Sequence, residues 1–233
     1  EKAGVLFQTG YFMRGDPQVR YVRDALRDGR LGKLTRIRVS GCHAGAIRGW
    51  FDTEWRWMAD LKQAGCGAFG DLGTHVLDLL LWITGEPVRQ ATATLGNATG
   101  RYGERIDEYG EGQLRLASGA IGTIAGGWVD QANPSFLEVS GTAGHARITS
   151  GELYMAGDAI EGDADTPVAV PDEPWPHAFD VFLAAVRGDA HPPLVTVAEA
   201  LERNRVMDAL YQGVAEARWI SPPAAETGPD DPE

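Results

Sequence analysis

Asp71, Thr74, His75 and Asp78 follow an i, i+3, i+4, i+7 spacing within "GCGAFGDLGTHVLDLLLWITGE", residues 65–86. On a helix, that spacing sets all four side chains on one narrow face. Around them stand Leu72, Val76, Leu77, Leu79, Leu80, Leu81, Trp82 and Ile83, an apolar circumference that predicts burial. Ionisable groups on a buried helix are costly unless paired or functional. The pattern alone leaves two readings open, a satisfied structural network and the polar lining of a cleft. In a cleft, His75 has the chemistry to take a proton from an alcohol, since imidazole titrates near neutral pH. Asp71, one turn earlier, can orient that imidazole or hold a substrate hydroxyl, and Asp78 continues the polar stripe toward the substrate. Asp71, His75 and Asp78 also have helical metal-ligand spacing, but no further His or Cys sits near them at ligand spacing. No metal is expected.

The glycines at 65, 67 and 70 spell G-x-G-x-x-G, the pattern of a dinucleotide-binding turn. Their context argues against it. The preceding "WRWMADLKQA" carries Arg56, Asp60, Lys62 and Gln63, where a doubly covered parallel strand is nearly all apolar. Asp71 would place a carboxylate at the helix N-terminus where the pyrophosphate belongs. Glu86, at a suitable distance to hold a ribose, directly follows the helix-ending Gly85 and has no second strand to stand on. The glycines therefore read as a close-packed turn that delivers a helix.

The elements that must position this helix can be read in order. Val5 to Gly10 is an apolar run suited to a buried strand. Asp16 and Pro17 then start a helix with Val19, Val22, Ala25 and Leu26 on one side, ended near Gly29. "LTRIRVSG" alternates with period two, as a half-buried strand does. From about residue 87 to 155, "VRQATATLG", "EYGEGQLRLA", "AIGTIAGGWV", "FLEVSG" and "HARITS" are separated by turn-forming "ASG" and "GTAG", which favours an antiparallel sheet. A helix is predicted over "WPHAFDVFLAAVRG", and another from a Thr196/Glu199 capping box, with Ala200, Leu201, Met207, Leu210, Tyr211 and Val214 packing on the sheet. The fold class is α+β: a large, mostly antiparallel open sheet with helices packed on one face. Residues 221–233, "SPPAAETGPDDPE", have the composition of a disordered tail.

Net charge of −12 excludes a nonspecific nucleic-acid surface. The nearly apolar run Val76 to Ile83 is interrupted by Asp78 and falls short of a membrane span. The two cysteines, Cys42 and Cys66, form no C-x-x-C pair, so neither zinc nor a disulfide framework is suggested and a cytoplasmic setting is the default. His43, His145, His177 and His191 read as surface or capping residues, and Trp128 as core.

Several pieces in order resemble the C-terminal domain of the Gfo/Idh/MocA oxidoreductases. They are "GYFMRGDPQVRYVRDALRDGRLGKL", "WRW" before the glycine-rich turn, "GAFGDLGTHVLDLLLWITGEP", "ASGAIGTI", "EVSGTAGHARI" and "HAFDVFLAAVRGDAHPP". The resemblance implies a substrate-binding and oligomerisation domain over residues 16–220, with residues 1–15 as the trailing end of a missing Rossmann domain that holds NAD or NADP. Its D-x-x-x-H matches Asp71 and His75, implying that His75 exchanges the hydroxyl proton of a sugar, inositol or related polyol. Arg14 matches a position close to cofactor or substrate, and Trp55 and Arg56 suggest contacts at the pocket wall. The family's catalytic Lys belongs to an E-K-P motif, which Glu1 and Lys2 are not, since they precede Ala3. The resemblance further implies homo-oligomers through the sheet face. A non-enzymatic sugar or cofactor sensor and an NAD-dependent glycosidase are the alternatives within the same fold.

Overall fold

In a computed structural model that describes residues 3–161 and 163–223, the alternation of "LTRIRVSG" becomes strand β1 (Leu34–Cys42). Leu34, Ile37 and Val39 turn into the core while Arg36 and Arg38 face outward. The strand-like region supplies β2 (Val88–Gly96), β3 (Tyr109–Leu116), β4 (Ile121–Gly127), β5 (Ser135–Gly141), β6 (Gly144–Thr149) and β7 (Glu152–Gly157). They form one seven-stranded sheet in the order β2-β3-β4-β1-β5-β6-β7. Every pairing is antiparallel except that of β1 with β4, which is parallel and runs from Arg36↔Ile121 to Cys42↔Gly127. The expected open, mostly antiparallel sheet is what forms. That single parallel pair matters for the site, because it brings the C-terminal ends of β1 and β4 to the same end of the sheet.

Among the described residues five α-helices accompany the sheet: α1 (Pro17–Arg27), α2 (Leu61–Ala64), α3 (Ala68–Thr84), α4 (Ala178–Arg187) and α5 (Val197–Glu216). Asp16 caps α1 through the amides of Gln18 and Val19, with Pro17 at the first helical position. Thr196 and Glu199 close the predicted capping box on α5. Helix α3 lies over β1, β3 and β4, α5 over β2, and α1 over α3, so these three helices share one face of the sheet. Where α3 crosses β4, a Cβ on Gly126 would fall 2.9 Å from the Gly73 nitrogen. Only hydrogen at that position lets the helix approach so closely.

Helix α3 begins at a borrowed cap. Gly67 has no side chain to cap with, and Asp107 from the loop before β3 does the work, accepting from the amides of Gly67 at 3.2 Å and Phe69 at 2.8 Å. The amides that a pyrophosphate would need are therefore already bound to a carboxylate. This is the structural reason the glycine pattern is not a dinucleotide turn. Asp107→Ala should cost about 1–2 kcal/mol, a typical loss for a helix cap, read as a lower melting temperature of the purified protein. An unchanged melting temperature would show that the cap does not hold α3.

Three expectations are corrected. Val5–Gly10 is not a strand: Val5, Leu6 and Phe7 are 72%, 50% and 39% exposed, and no strand pairs with this segment among the described residues. An apolar run forms a strand only where a neighbour satisfies its backbone; here the described bonds are a local turn, the Gly10 carbonyl accepting from the Phe12 amide at 2.8 Å, and the Gln8 side chain accepting from the Val195 amide at 2.7 Å. Leu201 of α5 is exposed, and the inward face of that helix carries Arg203, Val206, Met207 and Leu210 instead. The third concerns length. Leu61–Thr84 has the length and mean hydropathy, 1.2, of a membrane span by composition alone, yet it is broken at Gly65 between α2 and α3, and 61% of its apolar window is buried inside the protein. Of the predicted tail, residues 224–233 lie outside the described residues, as do Glu1 and Lys2.

Candidate functional site

The polar face of α3 divides into two halves. At its N-terminal end, the Asp71 Oδ2 accepts from the Trp128 indole Nε1–H at 3.0 Å. Trp128 is fully buried just beyond β4, packed against Phe51 at 4.4 Å between ring centroids, so the carboxylate is held by a rigid donor. One turn on, the His75 ring stands edge-on to Tyr11 at 5.8 Å and tilted against Phe12 at 5.7 Å. Tyr11 is itself fixed by a hydrogen bond between its hydroxyl and that of Thr74, 2.9 Å apart.

His75 Nδ1 is sealed from solvent without a hydrogen-bond partner. Its Nε2 bonds to none of the described residues, so Nε2 is the nitrogen available to a substrate. Burial holds this imidazole below the usual histidine range, against the upward pull of the Asp71 and Asp78 carboxylates. At neutral pH it is an uncharged base, the form that accepts a proton from an alcohol.

At the C-terminal end of the same face, Asp78 is 1% exposed and taken up by two arginines. Arg14 grips it with Nη2 to Oδ1 at 2.5 Å and Nε to Oδ2 at 2.8 Å. Arg203 from α5 adds Nε to Oδ1 at 3.0 Å, and Arg14 reaches on to Glu199 at 2.7 Å. Asp78 was expected to meet substrate and Arg14 substrate or cofactor; with both carboxylate oxygens committed and Arg14 only 6% exposed, they form instead a buried ion-pair node. The node serves the site at one remove. Arg14 belongs to the same single 3-10 turn as Phe12, Phe12–Gly15, so its grip on Asp78 pins the turn that walls His75.

Trp55 and Arg56 stand apart from this face. Both lie in a 3-10 segment, Glu54–Ala59, with Trp55 52% exposed. The Arg56 guanidinium lies 4.6 Å from the Tyr102 ring centre. Tyr102 packs edge-on against Phe51 at 5.6 Å, and Phe51 against Trp128. Arg56 is thus joined to Asp71 through aromatic packing, and no described contact joins Trp55 or Arg56 to His75. Among the described residues no three His, Cys, Asp or Glu converge as metal ligands. A cavity of about 610 Å³ lies on the open face of the sheet, bordered by Arg38, Ser40, Glu111, Gln113 and Asn133, and does not reach Asp71 or His75.

Residues the sequence did not single out border this face: Tyr11, Arg203, and Trp128 as the donor to Asp71. Arg203 left a signal, since it shares the 203, 206, 207, 210 face of α5 with apolar neighbours. The others left none, because strand ends and loops meet in space without a sequence period.

A family model described as the GFO/IDH/MocA C-terminal domain matches residues 19–147. Among curated proteins, the chain is 25% identical over 199 residues to 1,5-anhydro-D-fructose reductase of Ensifer adhaerens, covering 82% of this chain and 57% of that protein. Among solved structures, aldose-aldose oxidoreductase from Caulobacter crescentus, complexed with glycerol, superposes with a TM-score of 0.77 at 21% identity, covering 94% of this chain and 65% of that one. A levoglucosan dehydrogenase in complex with NADH and levoglucosan superposes with a TM-score of 0.73 at 22% identity, covering 92% and 65%. At these identities the two superpositions establish the fold. The chain spans less than two thirds of each of these three proteins.

Proposed function

Because the chain belongs to the GFO/IDH/MocA family through its C-terminal domain, we propose that it is the substrate domain of a nicotinamide-dependent oxidoreductase acting on a sugar or related polyol. The observation that carries this reading is the uncharged, half-buried His75, with its Nε2 open, one helical turn from an Asp71 carboxylate fixed by Trp128. Only one oxygen of Asp71 is taken by the indole, so the other can accept from a substrate hydroxyl.

The described residues do not fit a pyrophosphate: the start of α3 is filled by Asp107 and followed by Asp71. The dinucleotide, NAD or NADP, is held mainly by a domain outside this chain, and the nicotinamide supplies the hydride half of the reaction. The exposed apolar Val5, Leu6 and Phe7 suit a strand completed by the sheet of such a domain. This chain's share is the proton half. In oxidation the substrate hydroxyl donates its proton to His75 Nε2 while Asp71 fixes the alcohol's orientation, and in reduction the imidazolium returns it.

The test is nicotinamide reduction or oxidation by the full-length protein against D-glucose, myo-inositol, levoglucosan and 1,5-anhydro-D-fructose. Turnover of at least one supports the reading. Sugar binding without turnover would overturn it in favour of a sensor, and cleavage of an aryl glycoside without net NADH would overturn it in favour of a glycosidase.

Asp71→Asn probes the site directly. The amide still accepts from Trp128, so the fold should stand, but the lost charge weakens the hold on the substrate hydroxyl by roughly 10–100-fold in kcat/KM. Asp71 also raises the His75 pKa. Removing it makes the imidazolium less favourable, so the acid limb of the kcat/KM profile moves to lower pH. A limb that stays in place would mean that His75 is not the group it reports.

A further inference from the structure

His43 follows β1 directly, at the end of the sheet where β1 and β4 run side by side. Its backbone is clamped on both sides: its amide donates to the Gly127 carbonyl at 2.9 Å, and its carbonyl accepts from Asp130 at 3.2 Å. The next turn is stitched to the same strand end, with the Ala46 amide donating to the carbonyl of Trp128 at 2.9 Å. Trp128 is the residue whose indole holds Asp71. One framework therefore fixes both His43 and the Asp71 carboxylate.

The His43 ring is set as firmly as its backbone. Its Nδ1 accepts from the Gly45 amide at 2.9 Å, which in the neutral ring leaves the proton on Nε2. Burial keeps the ring uncharged, against Asp71 and Asp130, which both act on it from nearby. The residue is half-buried, and Nε2 bonds to none of the described residues. The ring lies 4.7 Å from that of Trp50, whose side chain is large, apolar and 48% exposed. The close fit depends on Gly45, where a Cβ would fall 2.6 Å from His43 Cε1 and 3.0 Å from Trp50 Cε3. The backbone itself closes the turn, with the Trp50 amide donating to the Gly45 carbonyl at 2.9 Å.

We propose that His43 and Trp50 are substrate-positioning residues of the Asp71–His75 site, with the His43 Nε2–H donating to one hydroxyl of a vicinal diol and the exposed Trp50 ring forming a platform for the sugar's carbon face. The free oxygen of Asp71 accepts from the neighbouring hydroxyl, so one acceptor and one donor on a shared frame select a diol over an isolated alcohol. Aromatic rings beside a few fixed polar groups are a general way to orient a ligand that is apolar on one face and polar at its rim. This inference rests on the sugar-oxidoreductase reading above but assigns different residues and a different step, binding.

The test uses the full-length protein with four variants, His43→Phe, His43→Gln, Trp50→Ala and Trp50→Phe, assayed with D-glucose and myo-inositol. His43→Phe keeps a ring but no donor, and Trp50→Ala removes the platform. Each should raise KM roughly 3- to 10-fold with kcat within about twofold. His43→Gln, which restores an N–H, and Trp50→Phe, which restores a ring, should recover most of that loss. A KM unchanged in both His43→Phe and Trp50→Ala, or a loss confined to kcat, overturns the proposal. Should the wild type turn over none of the four compounds named above, the oxidoreductase reading fails by itself, and D-glucose titration followed by tryptophan fluorescence still decides this one. A saturable signal abolished in His43→Phe and retained in His43→Gln supports it; no saturable signal in the wild type overturns it.

Discussion

His75→Ala in the full-length enzyme should lower kcat by roughly 10²–10⁴-fold, the usual worth of a positioned general acid/base, while leaving the protein folded. The second half of that expectation follows from the ring's bonding. His75 Nδ1 has no hydrogen-bond partner, and no described residue bonds to Nε2, so the substitution breaks no hydrogen bond among the described residues. What it removes is packing against Tyr11 and Phe12, one of which, Phe12, is 49% exposed. Activity and stability therefore separate in this variant.

The pH dependence has a definite sign. The folded-state pKa of His75 lies below its ordinary value because burial disfavours the imidazolium. The group contributes stability that is present above the unfolded value of about 6.5, and that is lost as pH falls from there through the folded pKa, because the unfolded chain binds the proton more readily. Activity falls over the same window as the base becomes protonated. His75→Ala should remove the acid limb of the rate profile and flatten part of the acid loss of stability; His43, shifted in the same direction by the same cause, retains the remainder. A variant with wild-type kcat across the profile would remove His75 from the chemistry.

Asp78→Ala should be the most destabilising substitution at the site, by about 3–5 kcal/mol, because it strands buried arginine charge. Arg14 and Arg203 are 6% and 3% exposed. Arg14 keeps its contact with Glu199, but Arg203 keeps only Glu202 and a backbone carbonyl at the mouth of the node. The loss is one of unpaired charge more than of attraction, so a compensating set makes a sharp control. Asp78→Leu combined with Arg14→Met and Arg203→Met should recover much of the melting temperature, since apolar replacement of a buried ion network is often neutral. Activity should not return with stability, because Phe12, in the same turn as Arg14, would no longer be pinned against the His75 ring. A melting temperature unchanged in Asp78→Ala would show that the node does not hold the fold and would restore Asp78 as a substrate contact.

The residues of α3 show how far one-dimensional pattern reaches. Its burial, its polar stripe and the Asp71–His75 pair were legible because helical geometry relates i, i+3, i+4 and i+7 whatever surrounds the helix. The caps of α1 and α5 and the alternation along β1 were legible for the same reason: each interaction closes within a few residues. The rejection of the glycine fingerprint also stood on local grounds, although the carboxylate that occupies the helix start comes from Asp107, about forty residues away.

What the sequence by itself determined was most of the strands, the helices α1, α3 and α5 with their apolar faces, and the polar stripe along α3. Tertiary structure alone decided which members of that face are free to act. Asp71 and Asp78 are equivalent in spacing and residue type, yet one meets a single indole N–H and keeps an open oxygen, while the other is enclosed by Arg14 and Arg203. That difference depends on the α5 register and on the turn before α1, segments separated from Asp78 by 125 and 64 residues. In the same way Val5–Gly10 has the composition of a strand and lacks one here, because an extended segment becomes a strand only when another backbone satisfies its amides and carbonyls.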